Sequence, residues 1–469
     1  MTRFRGAAAA AAADAVLGLL ASRRCATPSH FLQIQAQLIL HCLQSHPFVA
    51  SRFIDACDSL GLLNTAVLPL FTRLRRPHPF IFNTLIRAFS HSKSPHVSFS
   101  LYAHMHSSSI SPNSYTFPFL LNSLADSRDL RSGACVHAHV VKLGHLGDVY
   151  VGNSLLHLYG SAADDMADCR RLFDEMPFRD VVSWTMLITG YRNVRSFDDA
   201  LFAFEQMQYA GVEPNRVTLV NTLAACSGHG AVEMGLWVHD FVMRRGLELD
   251  VSLGTALIDM YSKCGRIDEG MRVFESMTER NVWSWNAVIK GLANAMRSDE
   301  AVKLFRDMVR RGIEVDDVTL LAVLSACSHS RLIEEGRELF DSLVNGKYRV
   351  SASLKHYACM VDLLARAGCL MDAYNLINSM PFEPTKTMWG ALVVGCRAHK
   401  HLELGEFAAK RLVEMEPDNS AHYVVLSNVY SEMGRWNDAQ QVRDLMKMRG
   451  LQKDLGYSSV GPELMEAYS

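Results

Sequence analysis

The sequence predicts an all-α fold, a stack of helical hairpins, and three observations carry that prediction. An aromatic residue stands three positions before a methionine at Tyr102/Met105, Phe173/Met176, Phe204/Met207, Phe274/Met277 and Phe305/Met308. These marks recur at a fixed distance: Tyr102 to Phe204 is 102 residues and Phe204 to Phe305 is 101. Val136-His137 and Val238-His239 lie 102 apart, as do LLHLYG at 155–160 and LIDMYS at 257–262. Within the repeat the apolar residues keep the helical period, with Trp184, Leu187, Ile188 and Tyr191 at i, i+3, i+4 and i+7. A single hairpin cannot bury such a face, but neighbours in a stack bury it for one another.

Cutting at these landmarks gives segments 79–113, 114–148, 149–180, 181–215, 216–250, 251–281 and 282–316, of 35, 35, 32, 35, 35, 31 and 35 residues. Each reads as two helices. In 181–215 the first carries the Trp184 stripe. Ser196 and Asp199 then have capping-box spacing, and Leu201, Phe204 and Met207 stripe a second helix. Gly211 suits the position after that helix, with Pro214 just beyond. Gly144, Gly246 and Gly312 fill the same slot elsewhere, and Ser109 fills it less well. The Phe and Met stripes recur with the repeat, which makes them core and not a cofactor site.

Composition narrows the function. Lys and Arg number 47 against 49 Asp and Glu, for a formal charge of −2, so any basic surface is local. Eleven scattered cysteines with no Cys-x-x-Cys read as reduced thiols, neither a disulfide framework nor a zinc site. No apolar run reaches the ~18 residues of a membrane span. Residues 1–30 hold Arg3, Arg5, Arg23 and Arg24, a single acid (Asp14), no Lys or Glu, and an alanine run from Ala7 to Ala13. That resembles an organellar transit peptide, with the mitochondrion expected ahead of the chloroplast.

The text VVSWTMLITGYRNVRSFDDALFAFEQMQYAGVEPN, then RVTLVNTLAACSGHGAVEMGLWVHDFVMRRGLELD, then VSLGTALIDMYSKCGRIDEGMRVFESMTERN resembles plant pentatricopeptide repeats. The fixed order of unequal lengths is similar to the family's PLS arrangement and covers roughly 33–453. Residues 33–46 resemble the end of a long repeat, 47–78 a short one, and 317–354 and 355–385 the last long and short ones. MWGALVVGCRAHKHLELGEFAAKRLVEMEPDN and AHYVVLSNVYSEMGRWNDAQQVRDLMKMRGLQKD resemble the two halves of the family's E domain. The resemblance implies a right-handed superhelical α-solenoid with an array over 31–385, a tetratricopeptide-like E domain over 386–453 and a tail over 454–469.

The resemblance also implies a site. In the family the fifth and last residues of a repeat select a base of single-stranded RNA, and the second residue flanks it. Here those pairs are Asn83/Asn113, Asn153/Asp180, Thr185/Asn215, Thr255/Asn281 and Asn286/Asp316. All are short amide, hydroxyl or carboxylate groups suited to a base's Watson–Crick edge. The flanking residues are Phe80, Tyr150, Val182 and Trp283, with Ser252 the exception. The family's correspondences read the series from segment 79–113 as Y-n-U-A-n-A-U. The blanks are the long repeats, whose pairs Pro118/Asp148 and Val220/Asp250 do not fit; Ser51/His78 and Cys359/Thr385 are also off-code. The competing reading is structural, since Asn, Asp, Ser and Thr also cap helices and make turns. Lys142, Arg244, Arg245, Arg310 and Arg311 are candidate phosphate contacts, or solvated residues favoured at helix C-termini.

The function expected from the resemblance is specification of a C-to-U editing site in organellar RNA, with a DYW-type deaminase supplied in trans and accessory editing factors as further partners. A zinc deaminase needs His-x-Glu with Pro-Cys-x-x-Cys. His401-Leu402-Glu403 supplies only the first string and reads as coincidence. The expectation is therefore no enzyme, cofactor, metal, small-molecule substrate or membrane partner. The alternatives are an organellar splicing, processing or stability factor, and a protein-binding helical scaffold.

Overall fold

The structure, a computed structural model, describes residues 13–20, 28–71, 74, 77–92, 94–162 and 164–451. Among them every regular element is helical, and no helix is long and apolar enough to cross a membrane. Residues 13–20 are helical, while most of the expected transit peptide and the whole tail lie outside the described residues. The chain forms two compact units, 1–241 and 242–469, and the division falls within helix Val232–Arg244.

In both units the sequence segments become antiparallel helix pairs. Segment 79–113 gives Pro79–Ser90 and His96–Ser107, and 181–215 gives Val181–Asn193 and Phe197–Tyr209. In the second unit, 282–316 gives Val282–Asn294 and Ser298–Arg310. In the first unit Pro79–Ser90, Phe117–Asp126, Val149–Ala162, Val181–Asn193 and Arg216–His229 pack one on the next, and in the second Val251–Lys263, Val282–Asn294, Asp317–Ser330, Leu354–Arg366 and Lys386–Ala398 do the same, so first helices stand in a row. The expected stripes are the core. Tyr102, Phe173, Phe204, Phe274 and Phe305 are all buried, as is each paired methionine. Small residues let the row close up: a Cβ placed on Gly190 would stand 3.1 Å from the Gly160 Cα of the preceding first helix.

The ends of the second helices follow two designs. After the 35-residue segments the chain turns through the left-handed region at Gly144, Gly211 and Gly312, with φ of 73°, 69° and 71°. Ser109 makes the same turn at φ 56°, with the Cβ strain that glycine avoids. The shorter segments use an arginine instead. Arg179 donates from Nε to the Phe173 carbonyl (2.7 Å) and from Nη2 to the Asp174 carbonyl (2.6 Å). It also stands 5.1 Å over the Phe173 ring. Arg280 repeats this on the Glu275 carbonyl (2.7 Å) and the Phe274 ring (4.7 Å). One expected detail is corrected. Ser196 precedes its helix but its side chain accepts no backbone N–H; its hydroxyl donates to the Asp199 carboxylate at 2.5 Å.

Candidate nucleic-acid interface

The last residue of a coded segment does two jobs. Asp180, Asn215, Asn281 and Asp316 are N-caps of the next first helix, each in a capping box with the third residue of that helix: Ser183, Thr218, Ser284 and Thr319. The structural reading of these residues is therefore correct. It does not exclude the other one, because the Asp180 and Asp316 side chains also accept from the fifth residue of the preceding first helix.

Three of the five pairs are hydrogen-bonded directly. Asn83 Nδ2 donates to Asn113 Oδ1 at 3.0 Å, and Asn153 Nδ2 to Asp180 Oδ1 at 3.1 Å. Asn286 Nδ2 donates to both Asp316 carboxylate oxygens at 3.0 Å. A hydroxyl closes each triad from the other side. Thr116 Oγ1 donates to Asn83 Oδ1 (2.7 Å), Ser183 Oγ to Asn153 Oδ1 (2.6 Å) and Thr319 Oγ1 to Asn286 Oδ1 (2.5 Å). Each selecting amide keeps one N–H and one lone pair uncommitted by its triad. The fourth pair is joined through a neighbour: Thr185 Oγ1 meets Thr218 Oγ1 at 2.7 Å, and Thr218 Oγ1 donates to Asn215 Oδ1 at 3.0 Å. The fifth is not joined. Thr255 Oγ1 is enclosed and has no partner, while Asn281 caps its helix and lies exposed.

The electrostatics follow from these bonds. Burial alone would push the Asp180 carboxyl up. Hydrogen bonds from the Ser183 amide, Asn153, the Ser183 hydroxyl and the Val182 amide outweigh it and hold Asp180 below the ordinary range. It is therefore a charged acceptor at neutral pH.

Beside the selectors, the second-position side chains face solvent. Tyr150 and Trp283 are each 73% exposed, and Phe80 and Val182 are also exposed. Large aromatics left in water at a repeated position are what a stacking surface needs. Three residues of this series were missed in the sequence. Tyr115, Val217 and Val318 hold the second position of the long segments and are also exposed. Their register follows from the same segment boundaries. Between Phe80 and Tyr115 lies an open cavity of about 660 Å³, lined also by Asn83 and Asn113, with the Asp55–Arg87 ion pair (2.6 Å) one turn along. That volume is within the ~300–1,000 Å³ of small-ligand sites.

The basic candidates are more ordinary. Arg310 and Arg311 both turn to Asp307, at 3.6 and 2.8 Å, and Lys142 sits exposed at a helix C-terminus. In the C-terminal hairpins, Lys386–Ala398 with Leu402–Met415 and Ser420–Glu432 with Trp436–Met448, the selecting slot changes. Its fifth position is Gly390, with open space where a side chain would project. Cross-hairpin ion pairs dominate there instead, Arg397 Nε and Nη2 to Glu432 at 2.9 and 2.5 Å and Arg435 Nη1 to Glu406 at 2.7 Å.

Paired helices stacked in register, with a polar selector and an exposed flanking residue at fixed places, define a modular helical-repeat protein. Family comparisons make the class specific. The E motif matches residues 399–461, the PPR repeat family 77–126 and 280–329, the PPR repeat 255–282 and 318–346, and the pentatricopeptide repeat domain 171–229. Among its relatives, one pentatricopeptide repeat-containing protein of Arabidopsis thaliana is 35% identical over 92% of this chain and 88% of its own. A second is 37% identical over 94% and 90%, and a third, named mitochondrial, 31% identical over 93% and 84%. The chain belongs to the pentatricopeptide repeat family. The crystal structure of the pentatricopeptide repeat protein PPR10 in complex with an 18-nt psaJ RNA element has the same fold. It superposes with a TM-score of 0.72 at 15% identity, over 89% of this chain and 65% of that one, so the chain spans just under two thirds of that structure's length.

Proposed function

We propose that this protein reads a single-stranded organellar RNA, one helix pair per base, and thereby specifies a C-to-U editing site. The observation that carries the reading is the recurrence of a hydrogen-bonded selector pair beside an exposed second-position side chain. One N–H of Asn153 or Asn286 is free of its triad and suits a pyrimidine carbonyl. The Asp180 or Asp316 carboxylate accepts from the N3–H that uridine has and cytidine lacks. At Asn83/Asn113 the partner is an amide, which accepts or donates, so either pyrimidine fits. Thr185 and Thr255 offer hydroxyls for adenine. Stacking on Phe80, Tyr150 and Trp283 adds about 1–3 kcal/mol per base. Backbone phosphates supply much of the remaining affinity and make it salt-dependent. The E region, lacking selectors and rich in inter-hairpin ion pairs, is the part that recruits a DYW-type deaminase in trans, with accessory factors on the array. Residues 1–30 direct the chain to the mitochondrion; relatives named mitochondrial and chloroplastic/mitochondrial favour an organelle of either kind.

The test pairs binding with genetics. Purified protein should bind an RNA carrying Y-n-U-A-n-A-U more tightly than a scrambled RNA. A loss-of-function line should lose editing at one or a few cytidines preceded by that pattern. Intact editing with altered splicing or transcript ends would move the function to RNA processing. Equal binding of both RNAs would remove sequence reading altogether.

A further inference from the structure

We propose that the hydroxyl three residues after a segment's last residue is a specificity-determining positioning group: it sets which way the selecting amide faces, so base choice depends on three residues and not two. The proposal rests on the RNA-reading function above and deepens it. The Ser183, Thr218, Ser284 and Thr319 hydroxyls each complete a capping box, but a cap does not require one. Asp148 accepts from the backbone N–H groups of Tyr150 and Val151 at 2.9 and 3.3 Å, and Asp250 from that of Leu253 at 2.9 Å, with an apolar residue in the hydroxyl's place. A cap therefore forms without it. Yet Thr116, Ser183, Thr218, Ser284 and Thr319 follow all five coded last residues. At the uncoded ones, His78, Asp148, Asp250 and Thr385, the same place holds Ile81, Val151, Leu253 and Met388. The hydroxyl goes with the coded selector and is absent from the uncoded caps.

Its geometry gives the reason. An asparagine amide has two faces of nearly equal shape and opposite polarity. The Ser183 hydroxyl accepts from the Asp180 backbone N–H at 3.2 Å and has one proton, within reach of Asn153 Oδ1 at 2.6 Å and Asp180 Oδ1 at 3.0 Å. Given to Asn153, that proton fixes Oδ1 on the hydroxyl side and leaves Nδ2 to serve both the carboxylate and the groove. At Asn83/Asn113 the decision is sharper, because two amides face each other and either could donate. The Tyr115 backbone N–H (3.1 Å) makes Asn113 Oδ1 an acceptor, and Thr116 makes Asn83 Oδ1 one. Asn83 must then donate to Asn113, and the Asn113 Nδ2 is left for the base.

The experiment uses the full chain and a panel of RNAs that differ only at the base read by segment 149–180 or by segment 282–316. Ser183→Ala is expected to cut the uridine-over-cytidine ratio by about tenfold at the first position and leave the second unchanged. Thr319→Val is expected to do the reverse. Ser183→Thr and Thr319→Ser, which restore the hydroxyl, should restore the ratios. A merely structural role would weaken every RNA alike and leave both ratios intact; that result overturns the proposal. If Asn153→Ala abolishes discrimination while Ser183→Ala preserves it, the hydroxyl proposal falls and the RNA reading stands. If the unaltered protein does not distinguish uridine from cytidine at either position, both fall.

Discussion

Segments 251–281 and 282–316 are neighbours in one unit, built from the same helix pair, yet their selectors are in opposite states. Asn286 is held from both sides by Asp316 and Thr319. Thr255 has no partner, although Asn281 and Ser284 stand in the corresponding places, and Ser284 spends its proton on the Asn281 carbonyl at 2.9 Å. A threonine at the fifth position is joined where the neighbouring hydroxyl meets it, as Thr218 meets Thr185 at 2.7 Å, and is left alone where that hydroxyl turns to a carbonyl, as Ser284 does. The helix pair is the same in either state, and the side chains around the fifth position decide whether a pair is preorganised before a ligand arrives. An enclosed hydroxyl without a partner costs roughly 1–3 kcal/mol. A base offering a hydrogen bond to Thr255 would recover part of that.

The comparison can be broken outright by Thr255→Asn. Ser284 and Asn281 are already placed to close an Asn83-type triad around it. The expected outcome is a change of preferred base at that position from adenine to pyrimidine, by one to two orders of magnitude in relative affinity, read by competition binding. A weaker perturbation is Asp316→Asn, which keeps a good N-cap. It should leave the fold intact and cost about tenfold in uridine-over-cytidine preference, because an amide both donates and accepts where the carboxylate only accepts.

A third test uses the segment that follows. Where Thr319 sits in one box, His356 sits in the next, its Nδ1 accepting from the Ser353 backbone N–H at 3.0 Å. Its Nε2 is buried without a hydrogen-bond partner, 3.6 Å from the Asp317 carboxylate. Burial lowers its pKa below 6.5, and Asp317 only partly offsets that. A depressed pKa in the fold means stability is complete above about pH 6.5 and drains away as the pH falls through the folded value. Urea midpoints measured between about pH 5 and 7.5 should fall on the acid side, and His356→Thr should remove its share of that slope. The smallest effect concerns the turns. Ser109→Gly should raise the melting temperature, relieving about 1 kcal/mol of left-handed strain that Gly312 never carries.

What the sequence made legible was whatever repeats at a fixed distance. Phe204 and Met207 announce the core because burial demands the same residues in each copy. Gly211 announces its turn because only one backbone conformation fits there. The triads were half legible: Asn286 and Asp316 stood out, but Thr319 bonds across 33 positions to a residue in another helix, which no local pattern marks. Arg179 and Arg280 were invisible as helix stoppers. A guanidinium reaching back five or six residues leaves no periodic mark. Ser196 is the converse: the right spacing was present, but its hydroxyl bonds the Asp199 side chain and no backbone N–H.

Because Asp180, Asn215, Asn281 and Asp316 each begin the next helix, the alphabet that the proposed reading allows is limited by folding as much as by RNA. A last residue must first be able to start a helix, and few side chains can. A change at that position that lengthens the chain's vocabulary at one base also loosens the start of the following helix. New targets are then reached most cheaply through the fifth residue, which caps nothing, while the last residue drifts among a handful of short polar types. Order of substitution, not only their number, would separate two family members that read different transcripts.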